Sequence, residues 1–208
     1  MIKKLIKSSL HRMGIELTQC NNSEKQFAND MGWELASLNY KDFQIARAIA
    51  SSGHITIEEA QLLSTLARET LETDPIIEIG TLFGFSTIVL AVSKHPSQQL
   101  ITVDRFSWNP FGISPLAHKL GTYAALRDAN KNHNTQIIHQ DKDEFYKNYD
   151  GPPPGLFFCD ANHEYEPTLR DLDWARKVGA KIICGHDYNQ EKFPGVVKAV
   201  KELGGQGC

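Results

Sequence analysis

Short, mostly apolar segments alternate along most of the chain with longer segments of helical periodicity. The apolar segments cover residues 76–79, 100–103, 136–139, 156–159 and 181–184. Strands buried on both faces form nearly continuous apolar runs, whereas a strand with one face in water alternates between apolar and polar residues. Short buried strands separated by helices predict an α/β domain with a doubly wound, mostly parallel sheet.

The segments between the predicted strands supply the helices that parallel strands need as crossover connections. A capping box at residues 56–59, with Thr56 followed three positions later by Glu59, predicts where the first helix begins. Asp74-Pro75 separates this helix from the first strand. We expect the other helices over residues 86–94, 115–132, 143–149, 165–177 and 194–203.

The N-terminal quarter of the chain has a different pattern. Residues 1–15 place apolar positions at helical spacing among basic residues, and residues 16–40 have no sustained period. A basic amphipathic helix can lie on an anionic membrane surface, but few apolar residues give weak affinity. We therefore favour a helix that docks on the domain or on a second subunit. The predicted division is a helical and irregular cap over residues 1–54 and an α/β domain over residues 55–208.

Composition excludes several classes of protein. The 208 residues have a formal net charge of -3, and the 22 lysines and arginines are spread along the chain, which argues against nucleic-acid binding. No apolar run reaches the length of about 18 residues that spans a bilayer, and no secretory signal is evident. The four cysteines form no C-x-x-C pair, so we expect reduced thiols in a cytoplasmic protein: Cys20, Cys159, Cys184 and Cys208.

Polar residues follow the predicted strands at the ends where the carboxyl edges of a parallel sheet meet. These residues are Gly80, Asp104, Asp141, Asp160 and Asp187. Ligands of open parallel sheets bind beyond the carboxyl ends of the strands, near the point where strand order reverses. The sequence therefore predicts that the functional site lies at this edge.

The turn after the first strand carries two glycines, Gly80 and Gly84, just before a helix. Glycines let a ligand approach the backbone, and the N-terminus of the following helix can hold a carboxylate. Asp104 lies 20 positions beyond Gly84, at the end of the second strand, where an acid can accept hydrogen bonds from both ribose hydroxyls. Plain turn glycines and a simple strand-end aspartate are the structural alternatives.

This turn, which reads Glu78-Ile-Gly80-Thr81-Leu-Phe-Gly84-Phe-Ser86-Thr87, resembles the first motif of the class I S-adenosylmethionine (SAM)-dependent methyltransferases. It differs from the G-x-G-x-x-G of nicotinamide enzymes because Leu82 takes the place of the middle glycine. The resemblance implies SAM as the cofactor. It also implies a set of cofactor-binding residues: Glu78, Gly80, Thr81, Gly84, Ser86, Asp104, Arg105 and Asp141.

The same resemblance implies a role for several of these residues. Gly80 and Thr81 would line the methionine part of SAM, and Ser86 would meet its carboxylate. Asp104 would hold the ribose. Arg105 or Phe106 would lie beside the adenine, and Asp141 would contact the adenine amino group. Either Asp141 or Asp143 could instead cap the next helix.

The second half of the chain resembles one branch of this superfamily, the small-molecule O-methyltransferases and their cephalosporin-hydroxylase-like relatives. The similar motifs are Asp160-Ala-Asn162-His163-Glu-Tyr165 and His186-Asp187-Tyr188, and the similarity covers roughly residues 50–203. It implies a SAM-dependent O-methyltransferase acting on a small hydroxylated acceptor, such as a sugar or a secondary metabolite.

The resemblance also implies the topology of the sheet. Strand order 3-2-1-4-5 is expected for a methyltransferase fold of the Rossmann-like type. Members of the family usually continue past the last helix into two further strands, and these strands are absent from the sequence. Either the sequence is truncated, or the fifth strand is an exposed edge, which favours pairing with another subunit in a homo-oligomer.

Asp160 and Asp187 end strands that should be neighbours, so their carboxylates should converge. With Asn162 as a third oxygen ligand they suit Mg²⁺, which would bind the acceptor oxygen and lower its pKa. His163 is the predicted general base, with Asp160 beside it as the second catalytic residue, because an unperturbed imidazole titrates near neutral pH.

Other interpretations of these residues remain open. His186 stands where metal-dependent relatives carry a second acid, and histidine suits a softer ion than Mg²⁺. His163 could bond a carboxylate at the start of a helix, and Asp187 could cap a turn. Cys159 and Cys184 could form a zinc site with the two histidines, although their apolar surroundings favour buried thiols.

Two other functions are compatible with the same sheet. One is a nucleotide- or NAD-dependent oxidoreductase, and the other is a non-catalytic protein that binds SAM or acts as a scaffold with a partner. The missing middle glycine argues against the first, and the short C-terminus favours the second.

Overall fold

The structure is a computed structural model and describes residues 55–205 and residue 207. Helices and strands alternate along these residues, as the sequence predicts. The elements are α1 (Ile57–Arg68), β1 (Ile76–Ile79), α2 (Phe85–Ser93), β2 (Leu100–Asp104), α3 (Pro115–Ala125), α4 (Arg127–Asn132), β3 (Thr135–His139), α5 (Lys142–Asn148), β4 (Leu156–Cys159), α6 (Tyr165–Lys177), β5 (Ile182–Gly185) and α7 (Pro194–Glu202).

The strands form one parallel sheet in the order β3-β2-β1-β4-β5, which confirms the predicted order. In the register, Ile76 of β1 pairs with Leu100 of β2 on one side and with Leu156 of β4 on the other. The chain runs outward from β1 through β2 and β3 and then crosses back to β4. Strand order therefore reverses between β1 and β4, the place where open parallel sheets bind ligands.

Both faces of the sheet are covered, which confirms the doubly wound class. Successive side chains of a strand point to opposite faces. Ile76 packs in one buried cluster with Leu90 of α2, whereas Ile77 packs in another with Ala175 of α6. All four residues of β1 and of β4 are buried, which explains their nearly continuous apolar sequence.

The predicted element boundaries agree with the structure to within one residue, with two exceptions. The first helix, expected to run up to Asp74-Pro75, instead ends at Arg68. The capping box of α1 is confirmed, since Thr56 N–H donates to Glu59 Oε2 (2.7 Å) and Glu59 N–H to Thr56 Oγ1 (3.2 Å). The single helix predicted over residues 115–132 is instead two helices, α3 and α4. They meet at Leu126, which leaves helical geometry (φ -87°, ψ 5°) and is fully buried beside Gly84.

Several predictions fall on residues that the structure does not describe. The cap over residues 1–54 and the basic segment 1–15 within it lie outside the described residues. The domain boundary after residue 54 therefore stays a prediction. Within residues 55–205, no helix is long and apolar enough to cross a membrane.

Candidate active site

Glu78 lies in the middle of β1 and is completely buried. Its carboxylate accepts hydrogen bonds from the hydroxyls of Ser86 (2.6 Å), Thr102 (2.6 Å) and Thr87. Thr81 Oγ1 lies 2.5 Å from Thr102 Oγ1 and donates to it, because Thr102 already donates its own hydrogen to Glu78. Burial raises the pKa of Glu78 to about 7, against the opposing effect of the three hydroxyl groups. Glu78 thus ties β1 to the start of α2 and to β2.

These bonds change how Ser86 can contribute to a cofactor site. Its hydroxyl hydrogen is directed at Glu78, so the hydroxyl is not the group that would donate to a second carboxylate. The first N–H groups of a helix lack acceptors within the helix. The backbone N–H of Ser86, in the first turn of α2, is therefore the group of this residue that can donate to the carboxylate of an amino-acid ligand.

Gly80 brings the loop after β1 into contact with the loop after β4. Its φ is +97°, and an added Cβ would lie 2.0 Å from the carbonyl oxygen of Asp160. A side chain at this position would push the two loops apart. Gly84 is the N-cap residue of α2 and packs against the side chain of Leu126, whose Cδ2 would lie 2.7 Å from an added Cβ. The fold itself therefore requires both glycines, and their contact with SAM stays a prediction.

Asp104 joins the turn after β1 to the segment after β2. Its Oδ2 accepts the N–H of Leu82 (2.9 Å), and its Oδ1 accepts the N–H of Phe106 (2.7 Å). Each carboxylate oxygen offers two lone pairs, so each can accept a second hydrogen bond. The carboxylate is therefore held in one orientation and keeps acceptor capacity for the predicted ribose hydroxyls.

Arg105 and Asp141 lie beside each other beyond β2 and β3. Arg105 Nη1 is 3.6 Å from Asp141 Oδ2, and both side chains are substantially exposed. Asp141 also caps α5, because its Oδ1 accepts the N–H of Asp143 (2.9 Å). The capping interpretation is thus confirmed for Asp141 rather than Asp143. The predicted adenine contacts would be made by a cap residue and its arginine neighbour.

The ends of β4 and β5 bring two carboxylates onto one imidazole. His163 Nε2 lies 2.8 Å from Asp187 Oδ2 and 3.8 Å from Asp160 Oδ1. His186 Nδ1 lies 3.3 Å from the same oxygen of Asp187 and 3.7 Å from Asp160 Oδ1. Asp160 and Asp187 therefore share two histidines, and the structure brings the predicted base together with both predicted carboxylates.

The carboxylates shift the pKa values of both histidines upward. For His163, the carboxylate of Asp160 is the largest influence and raises the pKa, and the charge of Asp187 adds to it, whereas burial opposes them. Burial is the largest influence on His186 and lowers its pKa, but the charges of three carboxylates outweigh it. Those carboxylates belong to Asp160, Asp187 and Glu59.

The backbone at Asp187 helps to direct its carboxylate. Its φ is +61°, in the left-handed region, which aspartate adopts more readily than most residues. The N–H of Asn189 donates to the carbonyl of Asp187 (2.7 Å) and closes the turn. Unusual backbone conformations of this kind concentrate at functional sites.

The atoms that could hold a metal ion belong to Asp160, His163 and Asp187, and they all lie within 4.8 Å of one another. In the described part of the chain this is the one group of three or more acidic, histidine or cysteine side chains so placed. A zinc site with Cys159 and Cys184 is therefore not formed. Asn162, the predicted third ligand, directs its Oδ1 at the N–H of Glu164 (2.8 Å).

Sequence reasoning missed Glu59 as a neighbour of this cluster. Its Oε1 lies 3.3 Å from His186 Nε2 while its Oε2 completes the capping box of α1. The capping pattern explains why Glu59 is at the helix start but gives no sign of the contact. That contact depends on how α1 packs beside β5, which is a tertiary property.

A buried network around Asp171 was also missed. Asp171 on α6 is completely buried and accepts hydrogen bonds from Lys142 Nζ, from Tyr146 Oη (3.0 Å) and from Cys159 Sγ (3.4 Å). Burial raises the pKa of the Cys159 thiol, as expected for an unreactive buried cysteine. The sequence did hold a signal, because Asp171 shares one face of α6 with the apolar residues Leu172 and Ala175.

Comparison with known proteins agrees with this geometry. A family profile described as a methyltransferase domain matches residues 77–188, slightly more than half of the chain. The match begins in β1 and ends just beyond β5. It therefore includes the glycine turn, residues 80–84, and the acid–imidazole cluster, which is formed by Asp160, His163, His186 and Asp187. A search of curated proteins gives no match.

Two of the solved structures that match this fold show the extent of the similarity to the chain. An O-methyltransferase from Bacillus cereus in complex with SAH is 17% identical, with a TM-score of 0.59, over 86% of this chain and 84% of that one. TomG from Streptomyces achromogenes, an O-methyltransferase of tomaymycin synthesis in complex with SAM, is 21% identical, with a TM-score of 0.55, over 90% and 86%. The chain therefore belongs to the methyltransferase-domain family and has the fold of the class I SAM-dependent methyltransferases.

Proposed function

We propose that the protein transfers the methyl group of SAM to a hydroxyl group of a small-molecule acceptor. One observation carries the proposal: the backbone of the glycine turn at Gly80 packs directly against the backbone of Asp160 in the acid–imidazole cluster. An added Cβ on Gly80 would lie 2.0 Å from the carbonyl oxygen of Asp160, and the Asp160 carboxylate lies 3.8 Å from His163. A methyl donor bound on the turn would therefore lie next to a base.

The cofactor part of the proposal assigns each end of SAM to a donor or an acceptor. The backbone N–H of Ser86 would meet the carboxylate, and Asp104 would accept the ribose hydroxyls. Arg105 and Asp141 would lie at the adenine. The B. cereus enzyme and TomG were solved with SAH and SAM respectively, which supports this choice of ligand.

The proposed chemistry is an in-line displacement. His163 removes the proton of the acceptor hydroxyl while the oxygen attacks the methyl carbon of SAM. The carbon–sulfur bond breaks, its electron pair passes to sulfur, and the products are the methyl ether and SAH. Asp187 Oδ2 and Asp160 Oδ1, which lie 2.8 Å and 3.8 Å from the same His163 Nε2, stabilise the imidazolium that forms.

Mg²⁺ assistance is a second element of the proposal, and the site fits an ion in part. Asp160 and Asp187 provide the two carboxylates that a hard cation prefers. Their third neighbour within 4.8 Å is an imidazole, which suits Mn²⁺ or Fe²⁺ better than Mg²⁺. A bound divalent ion would lower the pKa of the acceptor hydroxyl.

Titration calorimetry with SAH tests the cofactor site. We expect wild-type protein to bind SAH with low-micromolar affinity and Asp104→Ala to abolish binding. Asp128→Ala, at an exposed aspartate of α4, is the matched control and should bind as wild type does. A folded wild-type protein that gives no heat with SAH would refute the proposed function.

An acceptor screen tests the catalytic part. Release of SAH from SAM would be measured with hydroxylated small molecules, with EDTA and with added Mg²⁺ or Mn²⁺. Because general-base catalysis contributes about 10²–10⁴-fold, His163→Ala should lower kcat by that order and leave SAH binding intact. Equal kcat values for wild type and His163→Ala would remove His163 from the mechanism.

A further inference from the structure

The carbonyl group of Leu82, in the turn between β1 and α2, accepts two hydrogen bonds from α3. His118 Nε2 lies 2.7 Å and Thr122 Oγ1 lies 2.6 Å from the carbonyl oxygen. A carbonyl oxygen can only accept, so His118 carries its hydrogen on Nε2. His118 and Thr122 are four residues apart and therefore lie on one face of α3.

Leu82 needs this support because of its backbone conformation. Its φ is +46°, in the left-handed region, which costs a residue other than glycine about 1–2 kcal/mol. Such a conformation persists only where the surrounding structure holds it. Two donors on one carbonyl oxygen are a direct means of holding it.

The N–H of the same residue contacts Asp104, the proposed ribose acceptor of the nucleoside site. Leu82 N–H donates to Asp104 Oδ2 at 2.9 Å. Leu82 therefore contacts α3 through its carbonyl group and Asp104 through its amide group, and its left-handed conformation fixes the angle between the two. A change at His118 would rotate Leu82 and with it one of the two donors that orient the Asp104 carboxylate.

The choice of histidine is not explained by packing. His118 is completely buried between Phe83 and Phe106, with ring centroids at 4.7 Å and 5.3 Å. Its Nδ1 is buried and has no hydrogen-bond partner among the described residues. A buried polar atom without a partner destabilises a fold, so an apolar side chain of similar size would serve packing better. An apolar residue at this position would lack the Nε2 group that donates to the carbonyl oxygen of Leu82, so this hydrogen bond explains the histidine.

We infer that His118 and Thr122 are positioning residues for the nucleoside site: they hold Leu82 in its left-handed conformation and through it aim the Asp104 carboxylate at the ribose. The inference rests on the proposed function, because it takes Asp104 to be the ribose acceptor. Neither residue touches the ligand in this scheme, and both act through Leu82.

Paired variants at each position separate the donor from the shape of the side chain. His118→Leu removes the donor and keeps an apolar side chain, whereas His118→Gln keeps an N–H donor at a similar reach. Thr122→Val is isosteric without the hydroxyl, and Thr122→Ser keeps the hydroxyl. Calorimetry with SAH should show about tenfold weaker binding for His118→Leu and a smaller loss for Thr122→Val, with both conservative variants near wild type.

A stability measurement separates positioning from a general structural role. His118→Leu removes the unpartnered Nδ1, which offsets the lost Nε2 hydrogen bond to Leu82, so its thermal midpoint should stay at or near that of wild type even though SAH binds more weakly. In steady-state assays, KM for SAM should rise while kcat and KM for the acceptor stay unchanged. If His118→Leu and His118→Gln lose affinity and thermal stability together, the inference is wrong.

A double-mutant cycle tests the route through Asp104. In an Asp104→Asn background, whose ribose contact is already weakened, His118→Leu should cost much less affinity than in wild type. Additive losses would place the effect elsewhere and overturn the inference. If wild-type protein binds SAH and His118→Leu binds equally well, the inference alone fails. If wild-type protein does not bind SAH, the proposed function fails first.

Discussion

Gly80→Ala would force apart the loop that carries the predicted cofactor site and the loop that carries Asp160. The added Cβ would lie 2.0 Å from the carbonyl oxygen of Asp160 and 2.6 Å from its carbonyl carbon. Both are backbone atoms, so no side-chain rotation relieves the contact. The backbone at Gly80, with φ at +97°, is also strained for any residue that has a Cβ.

The loss of unfolding free energy can be estimated from the backbone strain and from the steric overlap. A left-handed conformation costs an alanine about 1–2 kcal/mol, and forcing an extra methyl group into a packed site costs about 1–3 kcal/mol. We therefore expect Gly80→Ala to lower the free energy of unfolding by about 2–5 kcal/mol. Gly112 is a matched control, because its φ is +63° and nothing lies within 4 Å of an added Cβ. Gly112→Ala should show the conformational cost alone.

Urea unfolding followed by circular dichroism measures both variants, with the midpoint compared at an unchanged slope. The affinity of the folded fraction for SAH should also fall for Gly80→Ala and stay at the wild-type value for Gly112→Ala. Only Gly80 lies between the loop after β1 and the loop after β4. An equal loss of unfolding free energy in the two variants would refute the argument that close approach at Asp160 requires glycine.

Two further predictions concern buried charged groups. Lys142→Met leaves the fully buried Asp171 without its cation and should cost about 3 kcal/mol in urea unfolding, whereas Lys177→Met, which breaks an exposed pair with Asp173, should cost under about 1 kcal/mol. Equal costs would contradict the burial argument. The pKa of Glu78 is raised to about 7, so the folded state binds this proton more tightly than the unfolded state. Unfolding free energy should fall by roughly 3 kcal/mol as pH rises from 4.5 to above 7, and Glu78→Gln should remove that part of the pH dependence.

The fold was predictable because its signals are local. Apolar runs such as residues 100–103 and 156–159 specify buried strands without knowledge of their neighbours. Strand ends were predictable for the same reason, and parallel pairing then brings Asp160 and Asp187 to one edge. The break at Leu126 was not predictable, because no glycine or proline marks it and the cause is burial beside Gly84.

The partners of the site residues were harder to predict, since they come from helices whose placement depends on packing. Glu59 reaches His186 from α1, and His118 reaches Leu82 from α3. Neither contact leaves a trace in spacing or composition. Asp171 is an intermediate case, because an acid on the apolar face of a helix indicates a buried partner without identifying Lys142.

The two halves of the site differ in how firmly their polar groups are held. Around the predicted cofactor, Glu78 accepts three hydroxyl donors and Asp104 accepts two backbone N–H groups. These groups are already oriented, so a ligand that binds there has little ordering cost to offset.

At the predicted acceptor side, Asp187 has two imidazole neighbours at once, since His163 and His186 lie 2.8 Å and 3.3 Å from its Oδ2. Under the proposed function, an acceptor hydroxyl or an ion would replace one imidazole at this oxygen while the other imidazole keeps its contact. The predicted cofactor contacts are therefore fixed, whereas the predicted catalytic edge consists of ion pairs shared between two carboxylates and two imidazoles. That division suits the proposed reaction, in which the methyl donor is constant and the acceptor must enter, lose a proton and leave.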